Sequence, residues 1–128
     1  MAFLLFILIT FILKHLGFFF RFVAVAGGFA PGGITPASVE LLKISDTIED
    51  WMPGPDMPIG LDSAGAVSDG KVLTVAGGTN PDFQQENKIH QLSCSNGSCQ
   101  WKTLVTTLKQ ARALTVAILI PDDMSDCN

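Results

Sequence analysis

Two cysteines flank a short polar stretch and could form a disulfide. Cys94-Ser95-Asn96-Gly97-Ser98-Cys99 contains Asn-Gly, a dipeptide typical of tight hairpin turns. In a hairpin the two cysteines lie opposite each other, with Cα atoms about 4.5–5.5 Å apart, within disulfide range. We therefore predict a Cys94–Cys99 disulfide, with two free thiols as the alternative. Cys127 is left over, available to a cysteine that this chain lacks.

The same turn carries a candidate modification site. Asn96-Gly97-Ser98 matches the glycosylation sequon, although turn chemistry alone explains the Asn-Gly pair. A disulfide, a sequon and an apolar N-terminus all favour an oxidising compartment. The expected localisation is extracellular, either secreted or membrane-anchored.

Other chemistry-bearing residue types are sparse. His15 lies in the apolar N-terminal run, His90 lies in a predicted strand, and three acids lie in a polar tail at Asp122, Asp123 and Asp126. We interpret His90 as a packing or surface residue and the three acids as solvated. We therefore predict no catalytic residue, no cofactor and no metal site.

The charge distribution excludes one class of partner. The formal net charge is −4, and the first 26 residues hold Lys14 and Arg21 but no acid. The rest of the chain is therefore more acidic still. Nucleic acid is not an expected partner, since it requires a basic patch.

The elements that hold these residues follow an internal repeat of fifty residues. Gly27-Gly28 recurs as Gly77-Gly78, and Trp51 recurs as Trp101, with the apolar runs before each glycine pair in phase. Self-similarity near this period is typical of a β-propeller, in which a blade has about four strands.

Each copy consists of short apolar runs separated by turns. In the second copy the predicted strands cover residues 64–68, 72–76, 88–94 and 100–105. In the first copy they cover residues 21–26, 38–44 and 50–52, and a last apolar strand is predicted over residues 113–120. No helical periodicity appears after residue 26, so the predicted fold class is all-β.

At these residues the chain resembles the kelch-repeat family of β-propellers. Residues 72–78 resemble the family's apolar strand with its double glycine, Trp101 resembles the tryptophan of the outer strand, and residues 108–112 resemble the linker with its arginine. The resemblance implies blade-structural roles for seven residues: Gly27, Gly28, Trp51, Gly77, Gly78, Trp101 and Arg112.

The chain also departs from the family pattern. Family blades often close the third strand with a Tyr-Asp pair, and this chain has no Tyr. Asp62 stands where the register would place the first copy's counterpart of Arg112, so the first blade lacks the arginine.

The resemblance divides the chain into five parts. They are an apolar leader (1–20), a partial first blade (21–62), a second blade (63–112), a strand of a following or closing blade (113–120) and an acidic tail (121–128). Because a propeller closes a ring of about 4–8 blades, we expect further blades from a longer chain or from another subunit.

The leader has several alternative interpretations. Its apolar run suits a signal peptide, a signal anchor or a transmembrane segment, which would be helical and contact a membrane through residues 3–22. Ala24-Val25-Ala26 looks like a cleavage site, but the repeat places these residues inside a strand.

The resemblance implies a non-catalytic module that binds an unknown protein or glycan. The alternative is a fragment of an extracellular propeller enzyme, similar to copper radical oxidases, whose catalytic residues lie outside this chain. Sites of that kind use Tyr and His ligands, whereas this chain has no Tyr and two His. We therefore expect no enzymatic activity in the chain itself.

Overall fold

All regular structure in the described part of the protein is β. The computed structural model describes residues 7–15, 18–44, 47, 50–95 and 98–120. The eight strands are β1 (Ile7–His15), β2 (Phe18–Ala26), β3 (Val39–Ile44), β4 (Met52–Pro53), β5 (Gly65–Ser68), β6 (Val72–Ala76), β7 (Ile89–Ser95) and β8 (Ser98–Thr103). They form two antiparallel sheets, ordered β1-β2-β3-β4 and β5-β6-β7-β8. The all-β prediction is confirmed.

A short polar turn joins β5 to β6 in the second sheet. The Asp69 carboxylate accepts hydrogen bonds from the N–H groups of Lys71 at 2.8 Å and Val72 at 2.9 Å. Both hydrogen bonds lower the pKa of Asp69, and the one from Val72 has the larger effect. Gly70 takes the positive φ of 88° that closes the turn. The β5–β6 hairpin therefore forms where the sequence predicts it.

One hydrophobic core lies between the two sheets. The first sheet contributes the face that carries Ala24, Ala26, Val39 and Leu41. The second contributes the face that carries Leu73, Val75 and Leu92, with Trp101 packed against it. These two sets fall at different positions of the fifty-residue repeat. The two sheets thus pack through opposite faces of the repeat unit. We call the face that the first sheet uses its back and the face that the second sheet uses its front.

The apolar leader is the largest difference from expectation. A helix is predicted there, but its described part includes strand β1, which pairs with β2 from Ile7↔Ala26 to His15↔Phe18. In the second sheet Gly65 pairs with Ala76, so β1 occupies the place of β5. Isoleucine and phenylalanine favour strands, and pairing satisfies backbone groups of β2 that would otherwise form a free edge. Residues 1–6 and 16–17 lie outside the described residues.

The predicted strand over residues 113–120 is wrong for this structure. The segment is not paired as a strand, although it runs beside β5 and residues 113–118 are alternately half-buried and exposed. Thr115 bonds to the second sheet through its N–H to the Ser63 carbonyl (3.4 Å) and its hydroxyl to the Ala76 carbonyl (3.3 Å). A ladder needs a partner strand, and the described residues provide none on its outer side.

Candidate functional site

Two loops lie at one end of the sheets, because each connects equivalent strands. Residues 29–36 follow β2 and residues 79–86 follow β6, and together we call them the loop face. We call residues 54–64, between β4 and β5, the first linker, and residues 104–112, after β8, the second linker. The first linker contacts the bases of both loops. Gly28 N–H donates to the Leu61 carbonyl at 2.9 Å, and the next residue, Asp62, exchanges backbone bonds with Thr79 at 2.9 and 3.0 Å. The two loops are therefore adjacent.

The paired glycines allow the linkers to pack directly on the strand ends. Gly27, Gly28, Gly77 and Gly78 all have positive φ, between 66° and 104°. Gly78 N–H donates to the Arg112 carbonyl at 2.8 Å, matching the Gly28 bond in the first sheet. A Cβ on Gly77 would lie 2.6 Å from the Arg112 carbonyl oxygen, and one on Gly27 would clash with the Leu61 carbonyl oxygen. Only glycine fits without displacing the linker.

The two tryptophans lie in different surroundings. Trp101 is half-buried, and its indole Nε1 donates to the Pro55 carbonyl at 2.8 Å, which joins the second sheet to the first linker. Trp51 is 47% exposed. The pairing of Leu41 with Met52 sets Trp51 opposite Leu42, as Leu92 sits opposite Trp101. The same position is thus covered in one sheet and open in the other.

Arg112 contributes through its backbone. Its N–H donates to the Glu86 carbonyl at 3.1 Å, and its carbonyl accepts the Gly78 bond. The exposed guanidinium reaches the Gln110 carbonyl at 3.4 Å. Arg112 thus contributes two backbone hydrogen bonds to the second sheet, and these do not depend on the charge of its side chain.

Asn80 organises the second loop. Its buried side chain accepts from the N–H groups of Asp82 (2.9 Å) and Gln84 (3.0 Å) and donates to the Glu86 carboxylate (2.8 Å). Phe83 lies at the tip with φ of 60° and is 75% exposed. The loop therefore holds a large aromatic side chain in solvent on a hydrogen-bonded frame.

The first loop also exposes apolar side chains. Ala30 N–H donates to the Ile34 carbonyl at 2.8 Å, which closes a turn over Gly32 and Gly33. Ile34 is exposed, Phe29 is at the border of exposure, and a Cβ on either glycine would meet open space. The sequence predicts both loops only as polar or Gly/Pro-rich surface. A lone phenylalanine in a polar loop was the signal for Phe83.

The structure contains the Cys94–Cys99 disulfide that the sequence predicts. The two cysteines are cross-strand partners of β7 and β8, with Cα atoms 3.9 Å apart. The bond lies at the end of the second sheet away from the loop face. Asn96 of the sequon, Cys127 and the three tail acids lie outside the described residues.

His90 is a core residue. Its ring is 1% exposed, with Nδ1 2.8 Å from the Thr103 hydroxyl, and within the described structure Nε2 has no hydrogen-bond partner. Burial lowers the pKa of His90, Lys88 lowers it further, and Glu86 opposes them. The neutral ring suits this site, because an unpaired ring nitrogen costs less than a buried charge.

A groove of about 890 Å³ lies between the second sheet and residues 108–117. Gly65, Ala76 and Gln85 line its other side. In the described ranges, no three His, Cys, Asp or Glu side chains are grouped to hold a metal ion. Nor do those ranges contain a helix of the length and apolarity needed to cross a membrane.

Comparison with known proteins adds no relative. No family model matches the chain, and no curated protein matches it.

Proposed function

We propose that this chain is a non-catalytic, kelch-type binding module that engages a protein or glycan through the loop face. The observation that carries the proposal is Phe83, exposed at the tip of the loop that Asn80 organises. A solvent-exposed aromatic on a preorganised loop loses little conformational entropy on binding, which favours affinity. Ile34 and Phe29 extend the apolar surface on the neighbouring loop.

The fold supports this proposal through its scaffold. The glycine pairs and the linker bonds repeat from one sheet to the next, as they would in consecutive kelch blades. Loops held by a rigid β-framework are where binding residues concentrate. An extracellular location, secreted or membrane-anchored, fits the Cys94–Cys99 disulfide.

Binding of the purified chain to glycan arrays and to displayed extracellular proteins tests the proposal. Phe83→Ala should weaken binding of a ligand found this way by at least about tenfold, the loss expected for a central aromatic anchor. The matched control is Ile44→Ala, because Ile44 is an exposed apolar residue at the opposite end of β3. Equal loss in both variants would contradict a loop-face site. Stoichiometric copper with oxidase activity in a longer protein that contains this chain would favour the enzyme alternative instead.

A further inference from the structure

The contact between the two sheets defines a front and a back for each repeat unit. On the front of the second sheet, Leu73, Val75, Leu92 and Trp101 pack into the core. The first linker lies over them, and its Pro55 carbonyl accepts the Trp101 indole bond. This interface is built entirely from segments of this chain.

The first sheet has the same apolar front, and it is uncovered. Fifty residues earlier stand Val23, Val25, Leu42 and Trp51, which we call the tryptophan face. The first three are only half-buried, and Trp51 is 47% exposed. Each apolar residue of the covered front thus has an apolar counterpart here.

The back of the second sheet is half-buried and receives its linker as the first sheet does, although two of its four positions are polar. The four positions are Thr74, Ala76, Ile89 and Gln91. Gly54 N–H donates to the Val39 carbonyl at 2.8 Å, and Leu104 N–H donates to the Ile89 carbonyl at 2.9 Å. The residues that follow, Pro55 and Val105, therefore occupy equivalent places. Val105 is 100% exposed, so its side chain lies open where the first linker meets a tryptophan.

The segment after the second linker adds apolar surface to this back. Residues 116–119 lie fifty-one residues after β5, the strand they would copy, because the second linker is one residue longer than the first. Leu114, Val116 and Ile118 point away from the second sheet and are 74–89% exposed. With Val105 they form what we call the linker face. Contiguous exposed apolar residues along an extended segment indicate an interaction site.

We propose that copies of this chain associate head to tail, with the tryptophan face of one copy on the linker face of the next. The association would repeat the outer part of the internal interface, placing the Trp51 indole against the Val105 carbonyl as Trp101 lies against Pro55. The segment after the second linker already holds the inner position, so the next copy would meet Leu114, Val116 and Ile118 there. The polar groups on the back of the second sheet tolerate cover, because Gln91 Nε2 already donates to the Thr74 hydroxyl at 3.1 Å.

A front-to-back interface is heterologous and closes into a ring when the rotation per copy permits. With two blades per chain, rings of about 4–8 blades correspond to two, three or four copies. This inference rests on the kelch-type blade arrangement of the proposed function, but its outcome is independent of ligand binding.

Native mass spectrometry of the full-length chain, released from a mild detergent, tests the association. We expect masses of two to four times 13.7 kDa. Trp51→Arg and Val116→Arg should each reduce the species to smaller ones, since each blocks one face. Mixed together, the two variants should form a one-to-one dimer through the faces that remain intact. Phe83→Arg, on the loop face, is the control and should assemble as the unmodified chain does.

A wild-type chain that stays monomeric overturns the proposal, whatever the variants do. Variants that assemble normally, or that fail to combine when mixed although circular dichroism shows them folded, overturn it as well. A monomer that binds ligand through Phe83 would leave the proposed function intact. An assembly with no ligand dependence on Phe83 would contradict only the loop-face proposal.

Discussion

At the scale of single residues, His90 shows how burial decides between two interpretations of one side chain. A histidine in a strand can be a ligand or a packing residue, and the sequence alone gives neither the distances nor the burial needed to choose between them. Its 1% exposure, its contact with the Thr103 hydroxyl and its unpaired Nε2 identify it as part of the core.

The lowered pKa of His90 predicts a pH-dependent stability. The folded chain resists protonation, whereas the unfolded chain takes up the proton near the ordinary value of about 6.5. Unfolding therefore binds a proton at low pH. The contribution of His90 to the free energy of unfolding should be fully present above a pH of about 6.5, and it should fall as the pH drops below that value.

Urea denaturation at a series of pH values measures this effect. His90→Gln should flatten the pH dependence in that range while lowering stability at neutral pH, because it disturbs the packed ring. An unchanged slope in the variant would assign the titration to another group.

At the scale of elements, the glycine pairs fix how each linker docks on its sheet. Gly78 has φ of 97°, and a Cβ there would lie 2.8 Å from the Asp62 carbonyl oxygen and 2.9 Å from the Ala64 Cβ. Gly32 has a similar φ of 84° but open space around it. The two positions therefore separate backbone strain from steric exclusion.

We expect Gly78→Ala to destabilise the chain by about 2–4 kcal/mol, since strain and a backbone clash combine. Gly32→Ala should cost about 1 kcal/mol, from strain alone. Thermal or urea unfolding of the two variants gives the comparison. Similar losses at both positions would mean that linker contact on Gly78 contributes little.

The strands could be predicted wherever one segment carried its own pattern and its own turn. Strand β6 is found at the residues predicted, and β7 lies within one residue of its predicted bounds, because apolar alternation and turn residues bracket them. The strand predicted over residues 113–120 is absent for the opposite reason. Whether an apolar run pairs depends on a partner edge, which its own sequence does not contain.

The loop face could not be foreseen in the same way. Its polar residues and Pro81 indicate a surface loop, as found. The Asn80 frame depends on three side-chain hydrogen bonds whose partners lie two to six residues away. Such bonds leave no periodic pattern, so the frame that holds Phe83 emerged only from the structure, although a lone phenylalanine in a polar loop is visible in the sequence.

At the scale of the whole molecule, the two sheets share one core and are joined by Trp101. Its indole bond to Pro55 spans 46 residues of sequence, from the second sheet to the linker that follows the first. The two sheets should therefore unfold together, as expected for a single cooperative unit.

Trp101→Ala should destabilise the chain by about 3–5 kcal/mol, towards the lower end because the side chain is half-buried. Lys102→Ala, at the exposed neighbouring position of β8, is the control and should change stability by less than about 0.5 kcal/mol. Denaturation followed by both fluorescence and circular dichroism reports on cooperativity. A melting temperature unchanged by Trp101→Ala would show that the sheets are held together without this contact.

The second linker is one residue longer than the first, but equivalent backbone hydrogen bonds form at the ends of both. Met57 N–H donates to the Ala37 carbonyl at 2.8 Å, and Leu108 N–H donates to the Asn87 carbonyl at 2.7 Å. The two acceptors are fifty residues apart in the sequence, whereas the two donors are fifty-one residues apart. The extra residue falls among residues 105–107, all exposed. The repeat is therefore measured from its glycine pair and not by counting along the chain. A duplication of this unit can gain or lose a residue there and still present its linker carbonyl to the N–H of the second glycine in the pair.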